Sequence, residues 1–309
     1  GPERIRSEHL KNLPPALVST LARLFRRYLS ECKVPTQLKT SKTVLLFKKG
    51  DLHDIGNYRP ICLLSVVYKL FTRVILNRID RKLNEGQPCQ QAGFRKGFST
   101  MDHIRTITRL IEVLREYKRQ LCVTFIDLQK AFDSNEIEAV MEAFGSQGVL
   151  TVFIKILREL YKNFTTKFSP FYNDINVDVK RGVRQGDTIS PKLFTVTLQN
   201  VMRTLEWDNM GVKIDGRQIH HLRFADDIVL TTTDIRQAER MLADFDKACG
   251  KIGLRLNLTK TMLMKNGLVS FAPFTLNETN ISECSSFVYL GRKINLMNDL
   301  APELSRRKR

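Results

Sequence analysis

Two stretches of this chain carry carboxylates into otherwise apolar runs. LCVTFIDL, residues 121–128, closes on Asp127 and its neighbour Leu128, and HLRFADDIVLTT, residues 221–232, sets Asp226 and Asp227 between Phe224-Ala225 and Ile228-Val229-Leu230. Adjacent carboxylates repel, and burying either without a partner is costly. If the two runs are neighbouring strands, three carboxylates converge, and a bound divalent cation makes that arrangement favourable. Oxygen-only ligands select Mg²⁺ or Mn²⁺, and Mg²⁺ so held takes its remaining ligands from substrate phosphates. Two such ions about 4 Å apart can activate a hydroxyl and stabilise a leaving pyrophosphate oxygen. An Asp-Asp pair by itself also suits a solvated turn. Against that stand the apolar flanks and the lack of Gly or Asn in the turn.

Other clusters extend the pattern. RGVRQGDTISP, residues 181–191, places Arg181, Arg184, Gln185 and Gly186 ahead of Ser190-Pro191, which open a helix. A glycine lets a base or sugar lie against backbone, and helix N-termini favour phosphate. In FKKGDLHDIGNYRP, Lys48 and Arg59 lie about ten residues apart on a strand-turn-strand and can grip a triphosphate, unless the segment is only a basic edge strand. Lys260 in GLRLNLTKT reads as a lone lysine after a strand, solvated unless phosphates are near, in which case it could serve as a general acid. GFRKGFSTMDH interleaves Phe94 and Phe98 with Arg95 and Lys96, a mixture that suits stacked bases and neutralised phosphates, or else places both phenylalanines in a core. His220-His221 precede the acids, but consecutive strand residues face opposite ways, so the pair reads as structural.

The elements that must position these residues are visible in the patterning. Residues 15–31 form an apolar helical stripe starting at Pro15; LLSVVYKLFTRVILNRIDRKL reads as a long helix; and Ser99 with Asp102 opens a helix to about Arg119. A helix with Asp133 and Glu136 as its cap follows Asp127. KLFTVTLQNVMRTLEW and residues 234–251, the latter with Asp234 and Gln237 as capping partners, complete the helices. Strands and helices alternate, yet the tight turn inside FADD implies an antiparallel hairpin, hence α+β rather than a doubly wound parallel sheet.

Composition narrows the partners. With 50 Lys and Arg against 32 Asp and Glu, the formal net charge is +18. That surplus fits nucleic acid better than a membrane surface. The six cysteines lie far apart with no C-x-x-C pair, as expected of free thiols in a reducing compartment. No apolar run is long enough to span a bilayer. The opening GPERIRSEHL and the close SRRKR are expected of a piece of something longer.

FIDLQKAFD, GVRQGDTISPKLF, FADDIVL, GLRLNLTKT and FVYLG resemble, in order, the palm motifs of reverse transcriptases. The stretch from KTVLLFKKGD to ILNRI and QAGFRKGFSTMDHI resemble the fingers of the non-LTR (LINE-like) retrotransposon branch, and most resemble its RTE clade. The resemblance implies a right-hand polymerase fold: a palm with an antiparallel, ferredoxin- or RRM-like sheet backed by helices, and mixed fingers. It implies a helical extension over 1–40, fingers over 41–120, palm over 121–292, and over 293–309 only the start of a thumb, expected to begin near Leu300. The thumb and the family's endonuclease are expected to be missing here. Asp127, Asp226 and Asp227, with the Leu128 carbonyl, are implied to hold two Mg²⁺ ions, with Mn²⁺ a possible substitute. Phe132 falls at the family's steric gate. The resemblance further implies that Gln185 and Gly186 border the incoming dNTP, that Lys48 and Arg59 hold its triphosphate, and that Lys260 protonates pyrophosphate. Phe287, Tyr289, Leu290 and Gly291 match the primer grip. Leu38 in VPTQL departs from the Trp usual there. The implied activity is RNA-directed DNA synthesis on an RNA template from a DNA primer or RNA–DNA hybrid. In the parent element it serves target-primed retrotransposition, in nucleus and cytoplasm as a ribonucleoprotein. An RNA polymerase or nucleotide cyclase on a similar palm, and an idle RNA-binding fragment, stay open as rivals.

Overall fold

The computed structural model describes residues 5, 7–169, 173–214, 216–299 and 301–307; Leu300, the expected thumb start, lies outside them. The chain forms two compact units, each made of two separate stretches: 1–86 with 132–197, and 87–131 with 198–309.

In the first unit, helix Pro15–Glu31 begins on proline, whose fixed φ suits a first helical position. It buries Phe25 and Leu29, and the Phe25 ring lies 5.0 Å from that of Phe71 in helix Val66–Glu85. That second helix starts later than the sequence pattern implies. Leu63 and Leu64 belong to strand Tyr58–Leu64, paired with Lys42 and Ser41, and Ser65 caps the helix by accepting the Tyr68 N–H at 2.9 Å. The sheet order is Tyr58–Leu64, Thr40–Phe47, Thr165–Phe168, Ile175–Asp178, parallel only in its middle pair. Helices Ile137–Ser146 and Thr151–Tyr161 pack together, burying Phe144, Ile156, Leu157 and Leu160. The expected Asp133–Glu136 cap does not form: Asp133 sits in the short helix Ala131–Ser134, and Glu136 makes no capping side-chain bond.

The second unit is built on a five-stranded sheet. Its order is Ser282–Glu283, Met262–Lys265, Cys122–Ile126, Asp227–Thr232, His221–Phe224. Every pair is antiparallel except the first. All five residues of the central strand Cys122–Ile126 are buried, which explains its unbroken apolar run. Helix Thr100–Glu116 opens with a reciprocal capping box between Ser99 and Asp102 and lays Ile107, Leu110, Ile111 and Leu114 against Val123, Phe125 and Val229. Each such side chain contributes about 1.5–3 kcal/mol on burial. Phe125 also stacks on Phe287, with centroids 4.2 Å apart. Truncating Phe125 to Ala costs about 3–5 kcal/mol.

Asp234 caps helix Ile235–Gly250 by accepting the Gln237 N–H at 2.8 Å, as the sequence implies. Helix Ser190–Arg203 ends four residues before Trp207, short of the expected length. No helix among the described residues is long and apolar enough to cross a membrane.

Candidate active site

The acidic hairpin forms as the sequence implies. Phe224 pairs with Asp227, leaving Ala225 and Asp226 as a two-residue turn. Ala225 takes φ +60°, a left-handed value that glycine usually supplies in such turns. The strands Cys122–Ile126 and Asp227–Thr232 pair with Ile126 opposite Ile228. One step beyond that pair, Asp127 leaves its strand at the end where Asp227 begins the other. Asp127 is pinned by backbone: its carbonyl accepts the Asn257 N–H at 2.8 Å, and the next residue, Leu128, bridges to Leu256.

These groups sense one another. Burial, then the charges of Asp226 and Asp127, pushes the Asp227 carboxyl up to about 6. Lys260 Nζ lies 3.9 Å from Asp127 Oδ2, both side chains reaching solvent. Lys260 precedes a strand rather than following one: it sits in a turn where its N–H and that of Thr261 both donate to the Asn257 carbonyl, before Met262–Lys265 begins.

Asp226 and Asp127 both repel the Asp227 carboxylate, and carboxylate oxygens are hard donors of the kind Mg²⁺ takes. Among the described residues no group of three or more His, Cys, Asp or Glu is arranged to hold a metal ion. Mg²⁺ does not require one, since it commonly takes one or two carboxylates and completes its shell with water and phosphate.

The five nucleotide-binding candidates outside this cluster belong to the first unit. Leu46 pairs with Arg59, and the Lys48 N–H donates to the Asn57 carbonyl at 2.9 Å. Lys48 and Arg59 are therefore diagonal neighbours on one face of the hairpin, about 7–8 Å apart at the backbone, and both are exposed. Phe132 is half-buried, its ring stacked on Phe194 at 4.9 Å. Gln185 donates its side-chain amide to both Asp133 carboxylate oxygens at 3.1 Å, and its carbonyl accepts the Cys62 N–H at 2.8 Å. Gly186, at φ +107°, answers a structural need: a Cβ there would lie 2.8 Å from the Cys62 carbonyl. Arg184 is a pin rather than a surface cation. It is buried against the rings of Phe164 and Tyr161 and donates to Leu160 O and Tyr68 Oη.

The template and primer candidates divide. Phe94, at φ +58°, is 47% exposed, and Lys96 is exposed. Arg95 is committed to its own loop, donating to the carbonyls of Pro88 (2.6 Å) and Gln91 (2.9 Å) with its guanidinium over the Phe98 ring. Tyr289 is buried, its hydroxyl 3.3 Å from His103 Nδ1, and Phe287 faces the core. Alternation along strand Ser286–Tyr289 turns those two rings inward and Val288 outward. The Tyr289 side chain is therefore buried and that of Phe287 half-buried, while Val288 is exposed and the turn carries Leu290 (φ +47°), half-buried, and Gly291 (φ +82°), exposed.

Two features were not foreseen. The His220 and His221 imidazoles, expected on opposite faces, meet with Nδ1 atoms 2.7 Å apart, because His220 lies outside the strand. Burial lowers the pKa of both. Between them and the acids, Arg223 is fully buried, and burial lowers its pKa to about 9. Its one side-chain hydrogen bond runs from Nη2 to Gln199 Oε1; Nε and Nη1 have none among the described residues. The sequence signal was there: an arginine inside an apolar run.

The chain is 25% identical over 300 residues to the Pol polyprotein of a type-1 R2 retrotransposable element from Nasonia vitripennis, covering 90% of this chain and 29% of that protein. It is 28% identical over 323 residues to a probable RNA-directed DNA polymerase from transposon BS of Drosophila melanogaster, covering 98% and 34%. The chain thus spans about a third of the length of these relatives. Its fold resembles that of apo telomerase from Candida tropicalis truncated from its C-terminal domain, with TM-score 0.60, 15% identity, and 86% of this chain and 55% of that one covered. The α+β right-hand polymerase fold implied by the motifs is the fold observed. The profile of the reverse transcriptase (RNA-dependent DNA polymerase) family matches residues 47–294, and the chain belongs to that family.

Proposed function

We propose that this chain is the core of an RNA-directed DNA polymerase that extends a DNA primer with dNTPs on an RNA template. The observation that carries it is the meeting of Asp127, at the end of one buried strand, with the Asp226–Asp227 hairpin on the adjacent strand, with Lys260 alongside. Divalent cations, taken as two Mg²⁺ ions with Mn²⁺ able to replace them, would neutralise these acids and polarise the primer hydroxyl and the substrate phosphate. Asp127, Asp226 and Asp227 orient the reacting groups, with the Leu128 carbonyl as a further oxygen donor. Lys260 is placed to give a proton to the leaving pyrophosphate. Lys48 and Arg59, on one hairpin face, hold the triphosphate. Phe132, its ring backed by Phe194, blocks a ribose 2′-OH, while Gln185 and Gly186 border the sugar. Phe94 and Lys96 with the Leu290–Gly291 turn contact template and primer.

The likeness to the R2 and BS proteins supports a non-LTR retrotransposon origin. Within it we assign the chain to the RTE clade, on the motifs quoted above. In its parent element it would act in target-primed retrotransposition as a ribonucleoprotein in nucleus and cytoplasm.

The test is primer extension on poly(rA)/oligo(dT) with Mg²⁺. The chain extends the primer, and Asp226→Ala abolishes extension while RNA binding persists. If neither protein extends while both bind RNA equally, the polymerase reading fails. Phe132→Ala separates the rivals: it admits rNTPs here, and an unchanged sugar preference would count against a deoxynucleotide gate.

A further inference from the structure

The acidic hairpin ends on the edge strand His221–Phe224, and a short segment closes that edge. The Arg223 N–H donates to the Gln90 carbonyl at 2.8 Å, and the Ala92 N–H donates to the Arg223 carbonyl at 3.0 Å. Residues 90–92 thus run parallel to the strand, with Gln91 paired to Arg223.

At the tip the contact tightens. Gln91 is fully buried, and its side-chain Oε1 accepts the Gly93 N–H at 3.2 Å and the Ala225 N–H at 3.4 Å. One carbonyl oxygen therefore ties the segment to the first residue of the turn. Gly93 lies so close that an added Cβ would stand 2.3 Å from the Ala225 nitrogen and 2.9 Å from the Phe224 carbonyl carbon. Those are backbone atoms, which cannot step aside as a side-chain tip would. Ala225, beside both, keeps a left-handed φ that an alanine adopts only under strain. Strain of this kind persists where surroundings over-determine the backbone.

We infer that Gln91 is a positioning residue for the Asp226–Asp227 turn, with Gly93 as the glycine that lets the segment reach it. The inference rests on the polymerase reading for its consequence in turnover, but not for its consequence in metal binding. Gln91 touches neither substrate nor metal; it sets where the two carboxylates stand by fixing the residue before them. Its acceptor oxygen is the working atom. Nε2 has no hydrogen-bond partner among the described residues, so the second oxygen of a neutral glutamic acid in its place displaces no hydrogen bond.

The experiment compares Gln91→Met, which keeps the bulk and removes the acceptor, with Gln91→Glu, which keeps an acceptor. Mn²⁺ binding is titrated by electron paramagnetic resonance with Mn²⁺ alone, Asp226→Ala serving to identify the signal from this site. Thermal unfolding and primer extension are measured in parallel. Gln91→Met should weaken Mn²⁺ binding about 10-fold or more. It should lower kcat by about 10²-fold with KM for dNTP little changed. Gln91→Glu should restore most of both. Mn²⁺ affinity within two-fold of the parent protein in Gln91→Met overturns the inference (about 0.4 kcal/mol at most), whatever happens to unfolding temperature. So does a parent protein whose Mn²⁺ binding is untouched by Asp226→Ala. A parent protein that extends no primer, while Gln91→Met still weakens Mn²⁺ binding, sinks the polymerase reading and leaves the inference standing. Should Gln91→Met fail to fold, Gln91→Asn, one carbon shorter, carries the same comparison.

Discussion

Each unit buries an arginine in the loop or strand next to its candidate site, and the two are treated in opposite ways. Arg184 lies against the faces of Phe164 and Tyr161, donates to the Leu160 carbonyl, and reaches Asp187 through the Tyr68 hydroxyl, which donates to that carboxylate at 2.8 Å. Asp187 also accepts from Thr72 at 2.9 Å, although burial still raises its pKa. The charge is compensated, and the loop carrying Gln185 and Gly186 is nailed down. Arg223 has no ion pair among the described residues and leaves two nitrogens without partners. A buried cation so provided is a burden on the fold. The contrast separates a region built for rigidity from one where stability is given up beside the acids, as residues at functional sites often show.

The largest test of that contrast is Arg184→Met. Removing one member of a compensated buried network strands Asp187 and costs about 3–5 kcal/mol, read as a lower midpoint in urea unfolding. A change below about 1 kcal/mol would show that the aromatic cage, not the charge, does the holding.

Next comes Asp227→Asn, measured with EDTA present. The folded pKa of about 6 stands above the ordinary 3.8, so the folded state binds the proton more tightly. Stability is therefore highest below pH 4 for this group and falls as pH rises through 6. The asparagine variant should melt higher than the parent at pH 7.5, and the gap should close by about pH 4. A constant gap at every pH would mean that neither burial nor the neighbouring acids raise the Asp227 pKa.

A smaller effect is expected of Ala225→Gly. Relief of the left-handed backbone, partly offset by a freer unfolded chain, should stabilise by about 0.5–1 kcal/mol. Loss of stability instead would show that the Ala225 methyl, buried in the turn, outweighs the strain. Smallest of all is Arg223→Met, where an apolar chain of similar reach replaces an uncompensated charge. It should change stability by less than about 1 kcal/mol, and a loss as large as that at Arg184 would erase the contrast between the two arginines.

Local chemistry made much of this legible in advance. Pro15 announces a helix start through its fixed φ, and the Ser99–Asp102 box and the Asp234–Gln237 cap do so through bonds between residues three apart in sequence. The FADD turn and the buried central strand are announced by polarity alone. What stayed hidden depends on residues far apart in sequence. Nothing in QAGFR says that Gln91 returns to Ala225, more than a hundred positions away. Arg95 looks like a phosphate contact until its acceptors, the Pro88 and Gln91 carbonyls, are seen. Nothing in RGVRQGD shows that Arg184 is buried, because the rings around it come from other helices and loops. Helix Val66–Glu85 starts later than its pattern implies because an apolar Leu-Leu suits strand and helix equally, and pairing with Ser41 and Lys42 decides between them.

The short parallel run at residues 90–92 has one more effect. A strand at the margin of a sheet offers bare amide and carbonyl groups, an open invitation to the next molecule in a concentrated solution. Here Gln90 and Ala92 occupy those groups on either side of Arg223. Cutting this strap away should bare the Arg223 amide and carbonyl and favour pairing between copies, beginning beside the residues the chain most needs to keep clear.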